Sequence, residues 1–298
     1  MSRPPVDVVL RDVTLRDGLQ DEDPIPTETK LAIFEALVAA GLQELELTSF
    51  VRPDRVPAMA DAEALCVRTD GHPVRRWGLV LNERGAERAL AAGLLDLQFV
   101  VSVSDTHSAH NAGRGTDQAL DALDAVCALA TAAGARIEVT LATAFGCPYE
   151  HRVDPARVVD AARRSAEAGV ASVGLADTIG VAVPTEVRAL VAAVTGAVDV
   201  PVGVHLHDTR GLGVANALAA LDAGVTRIDG SVGALGGCPF APGASGNLAL
   251  EDLAHALEAM GVPTGVSVTG LVDAAHLACA SVGRPVASHV GIAGPRFA

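Results

Sequence analysis

The sequence predicts an α/β fold, a TIM-type (β/α)8 barrel with a short C-terminal helical extension. Three observations carry that expectation. β-prone segments alternate eight times with Ala-rich amphipathic stretches. Gly41, Gly93, Gly134, Gly169 and Gly224 each fall just past such a stretch, where a left-handed helix C-cap wants glycine. No linker, low-complexity run or compositional break divides the 298 residues. The predicted strands are Val8–Thr14, Glu44–Thr48, Arg75–Leu81, Leu97–Val103, Arg136–Ala142, Ser172–Ala176, Pro201–His207 and Arg227–Val232. The clearest helices are Glu28–Ala40, Gly115–Ala133, Asp154–Ala168 and Thr185–Thr195, with an eighth over about Leu248–Met260. About 38 residues follow it, read as an extra helix (Ser267–Val282) and a tail. A doubly wound open sheet is the competing arrangement, but no GxGxxG follows the first strand. We expect one catalytic domain over residues 1–298.

Half the residues are hydrophobic, enough for a large core, and the formal net charge is −14. That charge argues against nucleic acid, whose binding rests on neutralising phosphates. It leaves room for a small anion held by a few placed arginines. No apolar run approaches the roughly 20 residues that span a bilayer. Met1-Ser2-Arg3-Pro4-Pro5 is too polar for the core of a signal peptide, so a cytoplasmic protein is expected. The five cysteines, Cys66, Cys127, Cys147, Cys238 and Cys279, are odd in number and form no CxxC pair, which suits free thiols in a reducing compartment.

Barrel chemistry sits at the C-terminal strand ends. The first strand runs into Thr14-Leu15-Arg16-Asp17-Gly18. Arg16 and Asp17 read either as a structural ion pair or as a metal-binding carboxylate beside a fixed positive charge. The seventh ends in His205-Leu206-His207, and strand alternation puts both imidazoles on one side, a metal half-site. Such a nitrogen and oxygen set suits Mn²⁺, Zn²⁺ or Co²⁺, while Mg²⁺ prefers oxygen. Glu44 and Glu46 share a face of the second strand. Arg16 is the natural partner for a glutamate in the barrel interior. Asp177, after the sixth strand, either orients a ligating histidine or caps a turn. The Gly- and Pro-rich segment Gly233–Asn247 reads as a lid or catalytic loop. Its Cys238 is a proton donor, a nucleophile or an inert thiol. Asn247 either caps the following helix or offers its carbonyl oxygen to a metal.

These segments together resemble the HMG-CoA lyase family, over nearly the whole chain. The resemblance is carried by Arg16-Asp17-Gly18-Leu19-Gln20, Glu46-Leu47-Thr48-Ser49-Phe50-Val51, Val56-Pro57-Ala58-Met59-Ala60-Asp61 and Gly146-Cys147-Pro148-Tyr149-Glu150. It continues in Ala176-Asp177-Thr178-Ile179-Gly180, His205-Leu206-His207-Asp208-Thr209 and, most specifically, the run from Leu235-Gly236-Gly237-Cys238-Pro239 to Gly246-Asn247. The resemblance implies a retro-Claisen cleavage of an acyl-CoA, with Asp17, His205, His207 and Asn247 as ligands of a divalent metal, Mg²⁺ or Mn²⁺. It implies Arg16 as the enolate contact, Cys238 as the catalytic thiol and Asp17 or a water as base. Glu46, Asn111, Thr140 and Thr178 are the further substrate-binding candidates. A homo-oligomer, most simply a dimer, is expected, with no nucleic-acid or membrane partner.

Three departures bear on the substrate. Gln20-Asp21-Glu22-Asp23 is acidic where the lyases commonly read Gln-Asn-Glu-Lys. Thr140 stands where many relatives have tyrosine, which predicts room for a 3-substituent larger than methyl. Ala234 stands where the lyases usually place glycine before Leu235. The competing readings are a Claisen-condensing acyltransferase, a pyruvate-type aldolase and a non-catalytic metal-binding barrel.

Overall fold

The computed structural model describes residues 8–237 and 246–296. Among them, β1 (Val9–Asp12), β2 (Glu44–Ser49), β3 (Arg75–Val80), β4 (Asp96–Ser102), β5 (Arg136–Ala142), β6 (Ser172–Asp177), β7 (Val202–Leu206) and β8 (Arg227–Gly230) form a closed parallel barrel in sequential order. Helices α1 (Thr27–Ala39), α2 (Ala62–Arg68), α3 (Glu83–Ala91), α4 (Asp105–Ala112), α5 (Thr116–Ala132), α6 (Pro155–Glu167), α7 (Pro184–Thr195), α8 (Gly213–Asp222) and α9 (Leu250–Ala259) alternate with the strands. Then come α10 (Val268–Ser281), the extra helix expected from the sequence, and a short α11 (His289–Ala293). The fold is the TIM barrel the sequence predicts, and the four clearest helices match within about a residue at each end. No helix among the described residues is long and apolar enough to cross a membrane. All five anticipated C-cap glycines have positive φ.

Most strand ends differ from the expected ones by one or two residues, and two departures, in β1 and β2, shape the site, each for a local reason. β1 stops at Asp12 rather than Thr14 because the Asp12 carboxylate accepts hydrogen bonds from the Thr14 amide (2.9 Å) and hydroxyl (2.7 Å), a side-chain turn that ends the strand. Burial pushes this carboxyl up to about 7, against those two bonds. Thr14–Gly18 then forms one π-helical turn, closed by the Gly18 amide donating to the Val13 carbonyl at 3.0 Å. Arg16 and Asp17 therefore ride on a helical turn, not on a strand. In β2 the register slips between Glu46 and Thr48. The irregularity turns Thr48 outward onto Met59 (3.5 Å) and brings Ser49 to the barrel mouth.

The apolar core lies between strands and helices, as in the burial of Ile33, Phe34 and Leu37 of α1 and Val187, Val191 and Val194 of α7. The inside of the barrel is ionic instead. Arg11, fully buried, donates to Glu138 (3.0 Å) and Asp229 (2.5 Å) and stacks over Trp77. Arg227 pairs with the other Glu138 oxygen, which Ser172 also contacts at 2.7 Å. Two arginines thus balance two carboxylates, and burying the set is tolerable only because each charge has a partner. Gly203 makes room for it, since a β-carbon there would lie 2.2 Å from the Arg227 guanidinium. Burial lowers Arg227 to about 10, with Arg11 adding to the effect.

Candidate active site

A cleft of about 1480 Å³ opens at the C-terminal ends of the strands, lined by Ser49, Thr140, Ala176 and His205 among others. On its floor the side chains of Asp17, His205 and His207 converge, with one ligating atom from each lying within 4.8 Å of the others. Asp17 Oδ2 lies 3.5 Å from His207 Nε2 and 3.9 Å from His205 Nε2. The two imidazoles meet edge to face, as the alternation of β7 requires.

Each histidine is aimed from behind. His207 Nδ1 donates to the Thr178 carbonyl at 2.7 Å. Its Nε2, buried with no hydrogen-bond partner among the described residues, faces Asp17, which raises the imidazole above its ordinary value against burial; only the neutral ring offers a lone pair there to a metal. His205 Nδ1 faces Asp229 Oδ2 at 3.6 Å. Burial alone would raise the Asp229 carboxyl, but Arg11 and Arg227 outweigh it and hold it well below the usual range. The ionic barrel interior is thereby connected to the site, through a carboxylate behind a ligating-type imidazole.

Arg16 is the hub of the other half. Its Nε donates to Glu46 at 2.8 Å, its second terminal nitrogen pairs with the same carboxylate at 2.8 Å, and its first contacts Asp17. Burial would raise Asp17, but Arg16, with His207 and His205, holds it well below the ordinary carboxylate value. Arg16 against Asp17 and Glu46 leaves one net negative charge beside two imidazoles. That balance, the unpartnered His207 Nε2 and the mixed nitrogen and oxygen donors all fit a divalent cation.

The remaining candidates divide. Thr140, Thr178 and Asn111 line the same cleft. Glu46 lies beneath it, fully buried on Arg16. With the Gln98 amide oriented to satisfy both its ends, its NH₂ donates to Glu46 at 2.6 Å and its oxygen accepts from Thr140 (2.9 Å) and Arg11 (2.9 Å). Asp177 accepts from the Val181 (3.0 Å) and Ala182 (2.9 Å) amides, the turn-capping alternative, while the Thr178 carbonyl orients His207. Asn247 caps no helix, because α9 begins at Leu250 behind Ala249. Its Nδ2 donates to Asp17 Oδ2 (2.7 Å) and Leu235 (3.0 Å), so the nitrogen, drawn by the carboxylate, faces the site where a ligand role needs the oxygen. That oxygen is buried without a hydrogen-bond partner among the described residues. Gly236 permits this approach, since a β-carbon would lie 2.4 Å from Nδ2. Cys238 lies outside the described residues; the other four cysteines are buried and free. Ala234 has φ 55°, so the position that resembles a lyase glycine is left-handed here with a side chain.

Sequence reasoning missed Asp229, Gln98, Ser49 and His107. For Asp229 a signal existed: Arg227 and Asp229 alternate inside a strand expected to be buried on both faces. His107 lines the cleft with its Nδ1 2.6 Å from Ser102, and burial lowers it to about 4.

A parallel eight-stranded barrel with an aspartate, two histidines and a buried arginine at the mouth of one large cleft belongs to the class of metal-assisted barrel enzymes. Comparison with known proteins narrows this. The chain belongs to the HMGL-like family, whose model matches residues 7–278. It is 40% identical to the (R)-citramalyl-CoA lyase of Chloroflexus aurantiacus, over 97% of this chain and 96% of that one. It is 38% identical to the hydroxymethylglutaryl-CoA lyase YngG of Bacillus subtilis, over 95% and 96%. An HMG-CoA lyase from Acinetobacter baumannii, solved with coenzyme A and 3-methylmalate, superposes with a TM-score of 0.94 at 34% identity, covering 100% of this chain and 98% of that one.

Proposed function

We propose that this chain is a divalent-metal-dependent carbon–carbon lyase. Its substrate is 3-hydroxy-3-methylglutaryl-CoA or a close 3-hydroxyacyl-CoA such as citramalyl-CoA, and its products are acetyl-CoA and a keto acid. The observation that carries this is the convergence of Asp17, His205 and His207 beside Arg16 on the floor of the cleft. Asp17, His205 and His207 would hold the ion, with Asn247 as a fourth ligand once its amide turns its oxygen inward. Mg²⁺ and Mn²⁺ are the ions proposed. When bound, the cation supplies a Lewis acid and a template for the substrate's oxygens.

In the cleavage the 3-hydroxyl loses its proton and becomes the ketone of the departing keto acid. The electrons of the broken C–C bond pass into the thioester as an enolate, whose carbon then takes up a proton. Arg16 is placed to receive the charge that develops on oxygen, held in one geometry by Glu46 and Asp17. The depressed Asp17 carboxyl reads as a ligand rather than as the base for the hydroxyl. Cys238 is the proposed proton donor to the enolate carbon. Cys238→Ser should lower kcat by about 10²–10⁴-fold with the metal still bound, because a hydroxyl is a far weaker acid than a thiol. Wild-type kcat in that variant would assign the thiol a structural role.

The test of the reaction is incubation of the metal-supplied protein with a panel of hydroxyacyl-CoAs, read by mass spectrometry. Acetyl-CoA should appear with acetoacetate from HMG-CoA and with pyruvate from citramalyl-CoA. If no member of the panel releases acetyl-CoA, the lyase reading falls. The panel also tests Thr140. A 3-ethyl homologue should gain about 0.8 kcal/mol for its added methylene, roughly fourfold in kcat/KM, and Thr140→Tyr should abolish the gain. A poorer homologue, with a ratio that Thr140→Tyr leaves unchanged, removes the pocket idea.

A further inference from the structure

A chain of hydrogen bonds runs from Arg16 to the wall of the cleft, and each bond in it has a forced direction. Arg16 Nε donates to one oxygen of Glu46 at 2.8 Å. The other Glu46 oxygen takes the Gln98 NH₂ at 2.6 Å, and the Gln98 oxygen meets Arg11 Nη2 and the Thr140 hydroxyl, each at 2.9 Å. A carboxylate held by a guanidinium only accepts, and a guanidinium only donates. The amide of Gln98 therefore has one sense, nitrogen to Glu46 and oxygen to Arg11 and Thr140. That oxygen has no proton to give, so the Thr140 hydroxyl supplies the proton of the last bond.

The consequence falls on Thr140. A threonine hydroxyl has one proton and two lone pairs. The proton is committed to Gln98, and among the described residues no other hydrogen bond reaches the Thr140 oxygen. Thr140 lines the cleft, so it offers a ligand an acceptor and no donor. Its partners in the strand register, Val100 on β4 and Gly174 on β6, bring no side-chain donor to it. Neither does Ala142, the next residue on the same face of β5. An acceptor left unpaired away from water favours a ligand that supplies the missing donor.

We propose that Thr140 selects 3-hydroxyacyl-CoAs whose 3-substituent itself ends in a hydroxyl group, as in 3-hydroxymethyl. This rests on the lyase reading of the cleft and specifies the acyl chain it takes. β5 stands across the closed barrel from β1, which leads into Arg16 and Asp17. With the reacting oxygens turned to that side, the 3-substituent meets the β5 wall. A hydroxyl there donates to Thr140. A methyl group of the same size leaves the oxygen unpaired, which is how a hydrogen-bonding site rejects an analogue that lacks the hydroxyl. A carboxylate or ketone sets an acceptor against an acceptor and is disfavoured more strongly.

The test compares kcat/KM of the metal-supplied protein for two homologues of HMG-CoA that differ only at the tip of the 3-substituent, hydroxymethyl and ethyl. Wild type should favour hydroxymethyl by about fivefold, the size of one neutral hydrogen bond. Thr140→Val removes the acceptor and keeps the branched shape, so the preference should reverse in favour of ethyl. Thr140→Ser keeps the acceptor and should keep the preference. That pair separates loss of the hydrogen bond from a general disturbance of the wall. The selection is overturned if wild type cleaves HMG-CoA without preferring hydroxymethyl to ethyl, or if Thr140→Val retains the hydroxymethyl preference. The lyase reading survives both of those results. A wild type that cleaves no acyl-CoA overturns the lyase reading and the selection together.

Discussion

His207→Ala is expected to lose metal and turnover together. The imidazole is held by the Thr178 carbonyl at 2.7 Å, so its Nε2 is directed at the space shared with Asp17 and His205. Alanine leaves a carboxylate and one imidazole, too few protein ligands to retain a divalent ion at ordinary free concentrations. A bound cation supplies several kcal/mol of transition-state stabilisation, so kcat/KM should fall by about 10³-fold or more. Chelation of the wild type should reproduce the loss, and Mg²⁺ or Mn²⁺ should reverse it in the wild type but not in the variant. Elemental analysis alongside initial rates checks both halves. Full activity in rigorously metal-free protein would sink the mechanism.

Arg16→Gln should damage chemistry and fold by separable amounts. The guanidinium joins Glu46 and Asp17, both buried. Removing it strands two carboxylates, and breaking a buried pair costs about 3–5 kcal/mol. Losing a donor aimed at developing charge costs a further 10²–10³-fold or so in kcat. The acid side of the stability curve should change as well. Asp17 lies below its ordinary pKa in the folded protein, so the pair stabilises the fold above pH ~4 and weakens as pH falls. Arg16→Gln should flatten that slope in thermal melts taken between about pH 3 and 7. Arg16→Lys, which keeps the charge but not the fork, should regain most of the stability and little of the kcat. Wild-type kcat in Arg16→Gln would confine the arginine to a structural role.

What could be read from the sequence was whatever depends on period and position. Alternation placed His205 and His207 together, and Arg16 was matched to Glu46 because an inward glutamate needs a cation. Chain geometry set by a single side chain escaped. Nothing in Val8–Thr14 announces that Asp12 will cap its own strand and turn the next residues into a π-helical turn. The register slip that exchanges Thr48 for Ser49 is likewise a property of strand pairing, not of the string of residues. The interior network escaped because its partners are far apart in sequence. Arg11 meets Glu138 and Asp229 only when the barrel closes, and through Asp229 that network reaches His205. For Asn247, the identity of the residue and its nearness to Asp17 were legible, but the sense of its amide was not.

The ionic filling of the barrel has a thermal consequence. Hydration of charged groups carries a strongly negative entropy, so the cost of keeping Arg11, Arg227, Glu138 and Asp229 out of water shrinks on warming. The aliphatic shell outside the strands behaves in the opposite sense, and its contribution fades on cooling. Inner and outer layers of this one molecule therefore respond oppositely to temperature. Chilling weakens the apolar shell that presses the helices onto the barrel while making the buried charges costlier to keep dry. Warmth favours the layer that aims His205.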